Sequence, residues 1–190
     1  MSNKILMSLA IVIIFFISIP LCSSETLEHP SVNRLRQKGF VSCIDDHSTT
    51  VNFIDDKSAA GFLNLWNQMK PNSHIATTML SKQYPDGESF ATVSTSPTIE
   101  GGCDTTFIQI IAFKETCPKL RETTFKEWKF FENIGNTPVY EDPTSPNVTV
   151  TLIPVENSCM IIKNGSLFYP KKDVSSQVTP PKNVQAGELE

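Results

Sequence analysis

The sequence predicts an α+β fold in which an antiparallel sheet of about five strands carries two helices on one face. Three observations lead to it: an apolar stripe at helical spacing, a Pro-Asp-Gly turn between two extended runs, and later segments in which apolar and polar residues alternate. The expected order is α-β-β-β-α-β-β, and helices that share one face of an antiparallel sheet are typical of this class.

The first helix is predicted over the segment that ends at Pro71, because proline cannot continue a helix. Asp55 and Asp56 precede the segment, where acidic side chains cap a helix and suit its dipole. The buried stripe of this helix follows the spacing i, i+3, i+4 and i+7 and consists of Phe62, Leu65, Trp66 and Met69.

Three strands are predicted next. Residues 74–84 and 89–95 are extended runs, and the turn at residues 85–88, Pro-Asp-Gly-Glu, joins them as a hairpin. Residues 104–113 alternate between two faces and become apolar on both near their end, which predicts a strand in the middle of the sheet.

A second helix is predicted to begin at Cys117-Pro118, since proline is tolerated at the first helical position, and to stop near Gly135. Its stripe is expected to consist of Leu120, Thr124, Trp128 and Phe131. Two strands complete the predicted fold: residues 148–152, which alternate, and a last strand that begins with Cys159–Ile162.

The first 24 residues are predicted to be a cleaved signal peptide, so we expect a secreted or periplasmic protein without a stable membrane span. Lys4 is their only charged residue, an apolar run extends from Ile5 to Leu21, and the small residues Cys22 and Ser24 precede the expected cleavage point. Two alternatives stay open. One is an uncleaved anchor, for which this run is at the lower limit of length; the other is a lipoprotein modified at Cys22.

One disulfide-stapled domain is expected over residues 40–169. Residues 25–39 are polar and predict a flexible leader. Residues 170–190 contain three prolines and no aromatic residue, which is typical of a disordered tail.

Four cysteines lie in the predicted domain, and an even number in an exported chain of this size predicts two disulfides. Cys103 and Cys117 flank the third strand, whose extended length of about 30 Å far exceeds the ~7 Å that a disulfide allows between Cα atoms. The strand directions inferred from the element order then favour Cys43–Cys103 and Cys117–Cys159. The third pairing would join Cys43 to Cys117 and Cys103 to Cys159.

No catalytic, cofactor or metal site is predicted. The histidines are His29, His47 and His74, and only His47 has other ligand types beside it, in the sequence Cys-Ile-Asp-Asp-His. Without a second motif at ligand spacing, a polar turn is favoured over a zinc site. Cys117 at a helix N-terminus could be an activated nucleophile, but no histidine is near it in sequence and a disulfide is favoured.

Two further motifs were considered. The four acids Asp45, Asp46, Asp55 and Asp56 invite comparison with the carboxylate pairs of glycosidases, but adjacent acids point in different directions and do not form a dyad. Asn147-Val148-Thr149 and Asn164-Gly165-Ser166 are N-glycosylation sequons, which matter only in a eukaryotic secretory pathway.

The cysteine-bearing segments also resemble a group of known proteins. Gly102-Cys103, an aromatic-containing strand, Cys117, a helix with Phe and Trp, and Cys159-Met160-Ile161-Ile162 together resemble small uncharacterised exported proteins of Gram-negative bacteria. The resemblance covers roughly residues 40–165 and implies a periplasmic location without an activity.

The sequence favours a non-enzymatic secreted or periplasmic domain that binds another macromolecule, and an inhibitor is one concrete version of this function. The formal net charge of −4 has the wrong sign for a nucleic-acid binder, and a protein partner is expected. The alternatives are an envelope hydrolase whose active-site groups are assembled only by the fold, and an envelope assembly factor. A large concave pocket with convergent His, Asp or Glu side chains would favour the enzyme, whereas a flat sheet face that carries exposed aromatic residues would favour the binding module.

Overall fold

A computed structural model of the chain describes residues 28–55, 61–84 and 87–171. The predicted signal peptide of residues 1–24 and all but two residues of the predicted tail lie outside this part. Three α-helices occur in it, α1 (Pro30–Gln37), α2 (Ile44–Ile54) and α3 (Cys117–Glu122), and a 3-10 helix at Pro71–Ser73 precedes the second strand. None of the described helices is long and apolar enough to span a bilayer.

Eight strands make up the rest of the described fold: β1 (Gly61–Trp66), β2 (Ala76–Tyr84), β3 (Gly87–Pro97), β4 (Cys103–Phe113), β5 (Lys129–Ile134), β6 (Thr137–Glu141), β7 (Val148–Val155) and β8 (Ser158–Tyr169). They form one antiparallel sheet in the order β1-β2-β3-β4-β8-β7-β6-β5. The expectation of an α+β fold with about five strands and two helices is therefore wrong, because the protein is mostly one eight-stranded sheet.

The first error lies in the segment that was expected to be the first helix. Gly61–Trp66 is strand β1, paired with β2 from Gly61 opposite Ser81 to Trp66 opposite Ala76. A short apolar run fits both the helical and the strand period, and here the hydrogen-bonded pairing with β2 makes the segment a strand. The helix lies earlier in the chain, as α2, and Asp55 is the residue after its last turn instead of an N-cap.

The second error concerns the length of the helix that begins at Cys117. This helix, α3, ends at Glu122, and the chain then forms the hairpin β5–β6. Gly135, which was expected to end the helix, instead takes a φ of 62° in the hairpin turn. The β-branched pair Thr123-Thr124 weakens helix propensity at the point where α3 stops.

The expected flexible leader also differs from the structure over the residues described there. Residues 30–37 form α1, in which Val32 and Leu35 are fully buried. Because most residues of this segment are polar, its short amphipathic helix was not predicted. The apolar side of the helix packs against α2 and β1.

The core lies between the helices and one face of the sheet, which we call the inner face. It is formed by helix residues and by alternate strand residues, among them Val51, Val93, Phe107, Leu120 and Ile161. The hairpin at residues 84–87 and the central strand β4 are confirmed.

The described sheet divides into two halves that repeat the same order. A helix and four consecutive antiparallel strands, α2 with β1–β4, are followed by α3 with β5–β8, and the last strands β4 and β8 pair along the middle. Each half has its own disulfide, which ties the start of its helix to the start of its last strand: Cys43–Cys103, with Cα atoms 5.8 Å apart, and Cys117–Cys159, with Cα atoms 4.9 Å apart. This is the predicted pairing.

Candidate interaction surface

The face of the sheet opposite the helices, the outer face, has apolar side chains at its centre. Because strand residues alternate between faces, the outer-face residues follow from the register. One row crosses four strands and consists of Leu63, Met79, Thr92 and Ile108. The next row, two residues along, contains Phe90, Ile110 and Ile162.

The six apolar members of these rows form what we call the outer-face patch: Leu63, Met79, Phe90, Ile108, Ile110 and Ile162. Four of them are well exposed, with 51% of Leu63, 45% of Phe90, 50% of Ile108 and 37% of Ile110 accessible to solvent. The patch crosses five adjacent strands, β1 to β4 and β8, a width of about 19 Å at ~4.8 Å per strand. A contiguous apolar area of this kind makes the outer face the candidate interaction surface of the described fold.

The surroundings of the patch on β2 to β4 are mainly polar and acidic, whereas on β1 the half-exposed Leu65 extends the apolar area beside Leu63. The hydroxyls of Thr77 and Ser94 lie 2.9 Å apart on neighbouring strands, and Oγ of Ser81 donates to Oε1 of Glu88 at 2.8 Å. Glu88 and Asp104 are the two charged residues at the outer-face positions of β1–β4. The patch therefore has an apolar centre and a rim of hydroxyls and negative charge.

The inner face holds a continuous chain of hydrogen bonds beneath α1 and α2. At its centre is His47, which is fully buried. Nε2 of His47 lies 2.8 Å from Oγ1 of Thr78, and Nδ1 lies 2.9 Å from Oγ1 of Thr95, which is itself 2.9 Å from Oγ1 of Thr105. At the other end of the chain of hydrogen bonds, Oγ1 of Thr78 lies 3.0 Å from Oδ1 of Asn64.

The direction of this chain follows from Asn64. Its Nδ2 donates to the carbonyl of Ser31 at 2.7 Å, so its Oδ1 must accept from Thr78. The hydroxyl of Thr78 is then an acceptor for Nε2–H of His47, and Nδ1 of His47 accepts from Thr95. The network is complete with a neutral imidazole, which burial enforces: desolvation, with a smaller contribution from the charge of His29, lowers the pKa of His47 to about 4.

This geometry gives His47 a structural role. Both ring nitrogens are occupied by threonine hydroxyls, and within the described ranges no three His, Cys, Asp or Glu side chains converge as metal ligands would. Asp46, next to it, is also buried, while His74 is exposed at the start of β2.

A second buried cluster brings together a serine, a histidine and an aspartate. Nδ1 of His29 lies 2.7 Å from Oγ of Ser31, and Nε2 lies 3.0 Å from Oδ2 of Asp55. Nδ1 also accepts from the backbone N–H of Ser31, so Nε2 carries the proton and donates to Asp55. Nζ of Lys82 is 3.5 Å from Oδ1 of the same carboxylate.

This cluster has the three side chains of a hydrolytic triad, but its ring nitrogens are exchanged: Nδ1 of His29 faces the serine and Nε2 faces the aspartate, the reverse of the serine-protease triad. It also lacks access for a substrate. Ser31 is 0% exposed, His29 1% and Asp55 3%. A substrate carbonyl cannot reach Oγ of Ser31 without unfolding α1. The side chain of His29 instead caps the first turn of α1, and the carboxylate of Asp55 joins α2 to α1 and β2.

The two best-formed concave sites of the described residues are small. Each holds about 10 Å³, room for roughly one water molecule, whereas a small-molecule site takes ~300 Å³ or more. One is lined in part by Phe53 and Ser145. Nζ of Lys163 lies 4.5 Å from the centre of the Phe53 ring, and burial lowers the pKa of this amine while the charge of Asp142 opposes the shift.

The residues weighed in the sequence are dispersed in the structure. Cys117 is in a disulfide and cannot act as a nucleophile. Asp45 is exposed and Asp55 is buried, so the acids do not face one another across a cleft, and Asp56 lies outside the described residues. The outer-face patch was not predicted from the sequence. Residues 107–110 of β4 contained an indication of it, because Ile108 and Ile110 are apolar although they lie on the side opposite the core.

Comparison of the chain with protein-family models, with curated proteins and with solved structures found no match.

Proposed function

We propose that the chain is an exported, non-enzymatic domain that binds a protein partner through the outer-face patch. The observation that carries the proposal is the exposure of Leu63, Phe90 and Ile108 together on a sheet whose described helices all pack on the other face. Scattered surface apolar residues are common, but a patch that is continuous over five strands is not.

The composition of the patch and its rim indicates which kind of partner would be complementary to it. An apolar centre with a polar rim is the usual arrangement of a protein–protein interface. Because the charged rim residues Glu88 and Asp104 are both acidic, and the chain has a net charge of −4, the complementary surface should combine apolar side chains with Lys or Arg. A cationic enzyme held by an inhibitor is one partner of this chemistry.

Two observations favour binding over hydrolysis. The Ser31–His29–Asp55 cluster is sealed in the core, and the two concave sites described above, one of which Asp55 lines, each hold about one water molecule. The apolar residues 5–21 and the two disulfides support an exported location.

The test compares a patch variant with an equally apolar change elsewhere. Leu63→Thr/Ile108→Thr places β-branched residues, which suit strands, in β1 and β4 and removes apolar area from the patch. Ile99→Thr is the matched control, because Ile99 is fully exposed in the turn between β3 and β4 and lies outside the patch. All three purified proteins are immobilised and exposed to the extracellular fluid or periplasm of the source, and retained proteins are purified and remeasured by titration.

The proposal expects one basic protein that binds the wild type and the Ile99 variant with equal affinity and the double variant at least tenfold more weakly. Equal binding to all three would contradict it. Sedimentation of the purified chain is a second measurement: dimers that dissociate in the double variant would show that a second copy, and not a different protein, occupies the patch.

A further inference from the structure

We infer that Asn147, and not Asn164, is the N-glycosylation site of this chain. Both residues are in complete sequons, Asn147-Val148-Thr149 and Asn164-Gly165-Ser166, but the fold treats their side-chain amides differently. The inference rests on the proposed function in its secreted form, because the modification takes place in the lumen of the secretory pathway.

Asn147 lies where a glycan can leave the protein freely. It is exposed in the turn between β6 and β7, one residue before β7 begins. Its φ of 68° is in the left-handed region that asparagine tolerates better than most residues, and its carbonyl accepts from the backbone N–H of Ser166 at 3.2 Å. The backbone is thus fixed while the side chain faces solvent.

Asn164 lies within the sheet, near the middle of β8. Its neighbours across the strands are Ile108 on β4 and Thr149 on β7. Nδ2 of Asn164, the atom that would carry the sugar, donates to Oγ1 of Thr149 at 3.1 Å. Oδ1 is buried and has no hydrogen-bond partner within the described residues. A glycan on Nδ2 would have to be accommodated beside this contact, within the sheet of the folded protein.

The position of Asn164 adds a functional reason. It lies on the outer face directly beside Ile108, so a sugar there would cover the centre of the outer-face patch. Asn147 lies outside the patch. A chain that is glycosylated at Asn147 alone keeps the patch free for the proposed partner.

The reaction is an ordinary glycosyl transfer. Nδ2 of Asn147 forms a bond to the anomeric carbon of an oligosaccharide carried on a lipid pyrophosphate, the bond from that carbon to the pyrophosphate oxygen breaks, and the amide loses one proton while the lipid pyrophosphate leaves. The hydroxyl of Thr149 completes the sequon that the transferase recognises.

The test translates the full chain in the presence of endoplasmic-reticulum microsomes. Three chains are compared: wild type, Asn147→Gln and Asn164→Gln, which are matched changes of one amide. Protease protection measures translocation, and gel mobility before and after treatment with a peptide N-glycosidase measures glycans. We expect translocated wild type and Asn164→Gln with one glycan each, and translocated Asn147→Gln with none.

Two results would overturn the inference, and they are distinguishable from failure of the proposed export. A protected chain without any glycan, or a protected Asn147→Gln chain that keeps its glycan, would show that Asn147 is not the site. A wild-type chain that stays accessible to protease would instead show that it does not enter this pathway, and would overturn the secreted form of the proposed function together with the inference.

Discussion

Nε2 of His47 donates to Oγ1 of Thr78 at 2.8 Å. The single hydroxyl proton of Thr78 is used in its hydrogen bond to Asn64, so Thr78 can only accept from the imidazole. These contacts favour the neutral form of His47 with its proton on Nε2. A second proton on the ring would have no acceptor unless Thr95 reversed its hydrogen bond, and it would also bring a charge into the core.

The protein should therefore lose stability in mild acid. The pKa of His47 is about 4 in the folded protein and ~6.5 when unfolded, so the unfolded chain binds the extra proton between these values. The contribution of neutral His47 to the free energy of unfolding is fully present above pH 6.5. It falls by about 3 kcal/mol in total as the pH drops to 4. Urea unfolding at pH 7.5, 5.5 and 4 measures it.

A matched pair of variants isolates this effect. His47→Asn should flatten the dependence on pH below 6.5, whatever its cost at neutral pH. His74→Asn changes an exposed histidine and should keep the wild-type slope. Equal slopes in all three proteins would mean that another group dominates.

Gly165 should not tolerate a side chain. A Cβ at this position would lie 2.8 Å from Cζ of Phe107 and 3.1 Å from Cγ2 of Val148. Phe107 is buried and packs edge-on against Phe53, so it cannot move away cheaply. Gly165→Ala should lower the free energy of unfolding by about 2 kcal/mol.

Gly61 offers the control for this change, since a Cβ there would have no atom within 4 Å. Gly61→Ala should leave stability unchanged or raise it slightly, because alanine restricts the unfolded chain. Phe107→Leu combined with Gly165→Ala should cost less than the sum of the two single changes. Strict additivity would indicate that the alanine is accommodated elsewhere.

Each disulfide should contribute a similar amount to stability. The bonds close loops with sequence separations of 60 and 42 residues, for which the loop-entropy estimate is about 4 kcal/mol each. Cys43→Ala/Cys103→Ala and Cys117→Ala/Cys159→Ala should thus shift the urea midpoint by comparable amounts. A much smaller shift for one pair would show that its half is already ordered when reduced.

Ser31 should not react as a hydrolase nucleophile in the native protein. A fluorophosphonate probe labels serines that have an activated, accessible Oγ, and Ser31, in the first turn of α1, is fully buried. We expect no labelling, and Asp55→Asn should lower stability by about 3 kcal/mol since it disrupts a buried ion-paired cluster. Labelling that disappears in Ser31→Ala would support the hydrolase instead.

The sequence was most informative where chemistry is local. The Pro-Asp-Gly turn predicted the hairpin, and the alternating residues 104–113 predicted the central strand. The disulfide pairing is also correct, although the strand directions behind it assumed two helices, one of which is strand β1 and the other of which ends at Glu122. It was least informative where one pattern serves two structures. Phe62, Leu65 and Trp66 fit a helix face, and only pairing with β2 makes the segment a strand.

Other features depended on distant partners. Ile44, His47 and Val51 have helical spacing that was available in the sequence, yet the charged and polar residues between them pointed to a turn. His29 became a core residue only through Asp55, 26 residues away, and Lys82. The outer-face patch is likewise assembled from five strands, so no single segment contains it.

The repetition of one helix and four strands bears on how the chain acquires its covalent links. Cys43 and Cys103 both lie in the first half, and a chain that enters an oxidising compartment from its N-terminus presents them before Cys117 has emerged. At that moment the folded domain's cysteines offer a single pairing, and Cys117 and Cys159 find each other later as the remaining two. In a chain exported during its synthesis, the order in which the cysteines emerge would thus favour the native connectivity over the other two.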